Sequence, residues 1–143
     1  MKKMMIFLGC IVLVLASIVF MSYGEMKKIA MLKDNLSDLK GNWVGSRTVG
    51  PGDARNTDLE ILKDSLPIQG KFTFYEVKSP GRSARTEVID FKKGRINEQG
   101  NLLIGGGGTI EIELSLYKDD GKMKLEGNYS WYGERGTISL KKK

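Results

Sequence analysis

Asn128, Tyr129, Trp131, Tyr132 and Arg135 place aromatic faces, an amide and a guanidinium close together in the sequence. On such a surface a sugar ring or a peptide could stack. Two-residue alternation sends Tyr129 and Trp131 to the face of Leu125, which favours packing for those two, whereas Tyr132 and Tyr75 are expected to point outward. Glu111 and Glu113 are carboxylates two residues apart on one strand face. Paired acids can hydrolyse glycosides or hold calcium, but both roles need a convergent cleft and further oxygen ligands, so a solvated face is the simpler reading. The run Gly105-Gly106-Gly107-Gly108 invites comparison with phosphate loops. Those loops lead into a helix, and here a strand pattern follows, so a bend or bulge is expected.

Histidine is absent from the 143 residues, and the single cysteine, Cys10, lies inside an apolar run. Without imidazole or thiol, the remainder cannot build a zinc site, a serine or cysteine nucleophile paired with histidine, or haem ligation through those side chains. Intrachain disulfides are excluded as well. The sequence therefore predicts no enzyme, no catalytic residue, no metal site and no cofactor. Lysine and arginine number 23 against 17 acidic residues, and the excess falls to one when Lys2, Lys3 and Lys141 to Lys143 are set aside. The body thus lacks the one-sided positive field of a nucleic-acid binder, and no nucleic-acid partner is expected.

The elements that would position these residues are mostly strands. In Thr109 to Tyr117, Ile110, Ile112, Leu114 and Leu116 alternate with Glu111, Glu113 and Ser115. One face is core and the other is wet. Asp119-Asp120-Gly121 supplies a hairpin turn, and the chain returns over Lys122 to Trp131. The same period marks strands at Trp43 to Val49, Thr57 to Lys63, Gly70 to Val77, Arg85 to Lys92, Leu102 to Ile104 and Thr137 to Leu140. Breakers separate them at Gly50 to Asp53, Ser79 to Gly81, Asn97 to Gly100 and Gly133 to Gly136. The fold class is all-β: an antiparallel meander or small up-and-down barrel of about eight strands, preceded by one membrane helix and a short amphipathic helix.

Asn35 to Trp43, a short helical segment leading into Gly41-x-Trp43 at the first strand, resembles the opening of the lipocalin-like and avidin-like barrels of the calycin group. The resemblance implies that Trp43 plugs one barrel end, stacked by an arginine from the last strand, for which Arg135, just before that strand, is the candidate. It also implies an open end that admits a small apolar ligand, with Phe72, Phe74, Ile112, Leu114 and Tyr129 lining the cavity.

Ahead of this domain, Lys2 and Lys3 precede twenty uncharged, largely apolar residues, Met4 to Tyr23. At 1.5 Å per residue such a run spans about 30 Å, the hydrocarbon thickness of a bilayer. Residues 1–24 are thus expected to be a signal anchor or a signal peptide, and the run is longer than a cleaved signal usually carries. Residues 25–40, with Ile29, Leu32, Leu36 and Leu39 at helical spacing, are expected to form a short amphipathic linker helix whose apolar seam packs on one end of the β domain, and residues 41–143 a β domain ending in a basic tail. The expected location is the cell membrane, single-pass with the C-terminal domain extracytoplasmic, or periplasmic or secreted if the leader is removed. The expected function is a binding module for a small ligand or an envelope protein. The alternative is an assembly subunit acting through its membrane helix, the residue 29 to 39 seam and the β surface.

Overall fold

The computed structural model describes residues 25–78, 80–105 and 109–143. The predicted membrane span with Cys10, Ser79 of one predicted turn and most of the glycine run lie outside the described residues. Nine strands follow in chain order: β1 (Lys27–Ile29), β2 (Gly41–Gly50), β3 (Asp53–Lys63), β4 (Ile68–Val77), β5 (Arg85–Ile96), β6 (Leu102–Gly105), β7 (Ile110–Asp119), β8 (Lys122–Trp131) and β9 (Glu134–Lys142). Each strand from β2 to β9 pairs antiparallel with the next, and β9 returns to β2, so eight strands close into a barrel. Closure removes the open edges that an eight-stranded meander would expose.

Every strand predicted from the alternating pattern is present, most of them longer than predicted at their ends. The turns explain the tight hairpins. Asp120 and Gly121 both take positive φ (43° and 79°), as do Tyr132 and Gly133 (46° and 85°). Two successive positive φ values form the turn whose twist matches antiparallel strands.

The barrel has two distinct ends. At one, a seven-residue 3-10 helix, Lys33–Leu39, plugs the opening and buries Leu36 and Leu39. Around it lie the start of β2, the β3–β4 and β5–β6 loops, the β7–β8 turn and the end of β9. At the far end lie the β2–β3 and β8–β9 turns and the β4–β5 loop. The amphipathic α-helix expected over residues 25–40 is replaced by β1 and this shorter helix. Ile29 pairs with Leu116 in a strand, Leu32 is 62% exposed, and Met31, absent from the predicted seam, is 1% exposed. The seam therefore cannot serve as a free oligomerising face, because its buried members already pack into the barrel core.

β1 also completes a gap. β6 covers β7 only from Glu111 to Leu114, and β1 takes over the same edge of β7 from Leu116 to Lys118. The seam between β5 and β6 is short, resting on Arg95 with Leu103 and Ile96 with Leu102. Among the described residues no helix is long and apolar enough to cross a membrane.

Candidate functional site

The interior is organised by which residues of each strand point inward. From β2 come Trp43 and Arg47, from β3 Arg55, Thr57, Leu59 and Ile61, and from β4 Phe72 and Phe74, all buried. Phe72, Phe74, Ile112, Leu114 and Tyr129, the residues expected to line a ligand cavity, do converge inside the barrel, each 3% exposed or less. Phe74 meets Phe72, Tyr129 and Trp131. Phe72 stacks on Phe74 at 5.6 Å, Phe74 stacks on Trp131 at 5.1 Å, and Tyr129 lies 6.2 Å from Phe74. Offset aromatic pairs at these separations are packed contacts.

The expected partnership of Arg135 with Trp43 is corrected. Lys142, not Arg135, supplies the cation: its ammonium lies 5.5 Å from the indole centroid. Strand parity is the reason. Ile138 and Leu140 point inward and Lys142 shares their face, whereas Arg135 has the opposite parity and is exposed opposite Ser130 near the far end. Trp43 itself is fully buried and donates its indole N–H to the Leu39 carbonyl at 2.8 Å. Trp43 thus ties the 3-10 helix to the barrel.

Near the far end a charged group lies inside the barrel. Arg47, 1% exposed, sets its guanidinium 5.1 Å from the Phe74 ring centroid. Its terminal nitrogens donate to the Asn56 carbonyl (3.1 Å), the Thr57 hydroxyl (3.2 Å) and the Tyr75 carbonyl (3.0 Å). Its Nε lies 3.8 Å from Glu134 and has no hydrogen-bond partner among the described residues. Glu134 also accepts a 2.6 Å hydrogen bond from the Tyr129 hydroxyl, which lies 2.9 Å from the Thr48 carbonyl as well. Burial first, and the bond to Glu134 second, push the Tyr129 phenol far above its ordinary value, so it stays protonated. Arg55 forks onto Asp53 at 2.6 and 3.2 Å and donates to the Glu76 carbonyl at 2.7 Å. The bond between Arg55 and Asp53 holds the Asp53 carboxyl below its usual range. No expectation had picked out Arg47 or Arg55, although the alternation that sends Trp43 and Leu59 inward sends these two inward with them.

A concavity lies on the outer wall, a groove of about 820 Å³ across β5 to β9. Two rows of outward residues flank it: Arg95, Leu103, Glu113, Asn128 and Thr137 in one, Gly105, Glu111, Ser130 and Arg135 in the other. Between them run Ile104, Ile112, Tyr129 and Gly136, in register across β6 to β9. The first three side chains are buried and Gly136 has none, so backbone floors the trough. Glu113 is held in place by the amides of Asn97 (3.0 Å) and Asn101 (2.7 Å). The groove thus gathers Arg135 with Glu111 and Glu113, while Tyr132 stands 80% exposed at the adjacent turn, 5.8 Å from Trp131.

Such a wall can hydrogen-bond and pair charges with an extended polar partner. It contains no cluster of ligating side chains, and among the described residues no group of three or more acidic or cysteine side chains could hold a metal. Compared with protein families, curated proteins and solved structures, the chain gives no match to any of them.

Proposed function

We propose that this chain is an exported β-barrel binding module, held at the membrane by its leader, which engages an envelope protein through the outer groove across β5 to β9. The observation that carries this reading is the contrast between inside and outside. Of the five residues expected to line a cavity, Phe74 packs against Phe72, Tyr129, Trp131 and Arg47, while the wall outside offers a groove with cations at Arg95 and Arg135 and carboxylates at Glu111 and Glu113. Interfaces gain from central aromatic and arginine anchors, and Tyr132 and Arg135 supply one of each at the groove's edge. The test is a photocrosslinking residue at Ser130, with Thr73 on the opposite wall as control, in the full chain in its own membrane. The expected outcome is a discrete adduct from position 130 that disappears with Arg135→Glu. The same adduct from both positions would sink the proposal.

A second reading keeps the calycin group in play: a small acidic ligand bound at the far end of the barrel. It draws support from the closed eight-stranded architecture, from Trp43 capped by a cation of the last strand, and from the buried Arg47 Nε without a hydrogen-bond partner. Native mass spectrometry of the extracted chain distinguishes the two. A retained small-molecule mass that is lost with Arg47→Met favours this reading, and a bare chain mass favours the groove.

A further inference from the structure

We infer that the helix-plugged end of the barrel is a membrane-docking face, one that lies against a bilayer containing anionic lipid while the end bearing Arg47 and Tyr132 points away. This rests on the membrane-tethered reading above and adds an orientation to it.

Chain length is the first argument. The apolar run stops at Tyr23, and β1, hydrogen-bonded to β7, begins at Lys27. Only residues 24 to 26 lie between, which fully extended reach about 14 Å. β1 sits at the plugged end, where Lys27 opposes Lys118 and Lys118 reaches Asp38 of the 3-10 helix at 2.6 Å. Barrel strands of ten residues run roughly 33 Å, so a leader seated in the bilayer keeps the plugged end near the surface and leaves the opposite turns far from it.

The surface chemistry is the second argument. Leu32, Leu62 and Leu66, at 62%, 54% and 45% exposed, all belong to this end: Leu32 precedes the 3-10 helix, Leu62 lies next to the last residue of β3, and Leu66 lies in the β3–β4 connection. Around them stand exposed Lys27, Lys28, Lys33, Lys40, Lys141 and Lys143. Glu25, Asp34, Asp64, Glu98, Asp119 and Asp120 offset most of this charge, and Asp38 is already paired with Lys118. At the far end Arg55 is paired with Asp53 and Arg85 with Glu87, while Lys78, Arg82 and Arg135 stand exposed, so what sets the plugged end apart is its leucines together with its lysines. Lysines on an apolar rim match an anionic interface, because the leucines enter the headgroup boundary while the ammonium groups meet phosphate.

The experiment places a fluorophore by Leu62→Cys, Leu66→Cys or Tyr132→Cys in a Cys10→Ser background of the full chain. The chain is reconstituted in vesicles of phosphatidylcholine, alone or with phosphatidylglycerol, carrying headgroup-level nitroxide lipid. Docking predicts strong quenching at 62 and 66 and little at 132. The contrast should grow with phosphatidylglycerol and shrink at high salt, because exposed charges are screened. Equal quenching at all three positions, or more at 132, overturns the inference. Alkaline carbonate extraction reports separately on the tether. Chain released by carbonate but quenched at 62 and 66 refutes the tether and keeps the docking face, whereas retained chain without that contrast does the reverse.

Discussion

Lys142 lies over Trp43, its ammonium 5.5 Å from the indole centroid and 2.5 Å from the Asp38 carbonyl to which it donates. The last strand, the first barrel strand and the 3-10 helix are thereby joined at one point. Trp43→Phe keeps most of the apolar bulk but removes the donor to the Leu39 carbonyl, leaving a buried acceptor unpaired. That loss is expected to cost about 1 to 3 kcal/mol in urea unfolding, and Trp43→Ala about 3 to 5. Lys142→Ala should cost less, near 1 kcal/mol, because the ammonium is partly solvated. A Lys142→Ala penalty equal to that of Trp43→Ala would contradict this ordering.

The pair at Trp43 also marks where sequence and structure part. Period-two alternation was strong enough to locate all eight barrel strands, because each buries one face only. The same alternation puts Arg135 on the face opposite Ile138 and Leu140, away from Trp43. The spacing of Ile29, Leu32, Leu36 and Leu39 imitates a helix, yet tertiary pairing with β7 draws Lys27 to Ile29 into a strand and leaves Leu32 in solvent. Propensity and periodicity are local, and an edge left vacant by the short β6 is not. The outer groove was illegible for a similar reason: its flanking rows combine residues from five strands whose register no single segment encodes.

Arg47 and Glu134 form a loose internal ion pair at 3.8 Å. Removing one member of a fully buried pair costs several kcal/mol, but Glu134 is partly exposed, so Glu134→Gln is expected to cost only about 1 kcal/mol. Arg47→Met leaves the Asn56 and Tyr75 carbonyls without their donor and is expected to cost more, about 2 to 4 kcal/mol. Urea midpoints of the two variants and their double mutant test this. A neutral Arg47→Met would mean that the guanidinium contributes nothing net to the barrel.

Gly127 pairs with Leu114, and a Cβ added there would stand 1.8 Å from the Glu113 carbonyl oxygen. Backbone cannot yield as a flexible side-chain tip can, so Gly127→Ala is expected to destabilise by about 1 to 3 kcal/mol through displacement of β8 from β7. Gly50, where an added Cβ meets nothing within 4 Å, is the matched control, and Gly50→Ala should stay within about 0.5 kcal/mol. Hydrogen exchange of the β7 and β8 amides locates the damage. Equal midpoints for the two variants would show that the strands part without cost.

Tyr129 gives the fold an alkaline limit. Its phenol is buried and bonded to Glu134, so its folded pKa lies far above the ordinary 10.0 that it regains on unfolding. A raised folded pKa means that the unfolded state loses its proton first. The stabilisation is complete below about pH 10 and declines as pH climbs from there toward the folded value. Tyr129→Phe has no proton to lose at this position. Wild type and Tyr129→Phe should therefore differ by a constant amount from neutral pH to about pH 10, with wild type ahead through its hydrogen bond. Above that, wild type should fall faster, and the two stability curves should converge. Tyr75, bonded to Asp58 at 2.9 Å and also raised, titrates in both proteins and cancels from the difference. Parallel curves above pH 10 would mean that the Tyr129 phenol ionises as readily in the barrel as in the open chain, which the 2.6 Å bond to Glu134 opposes.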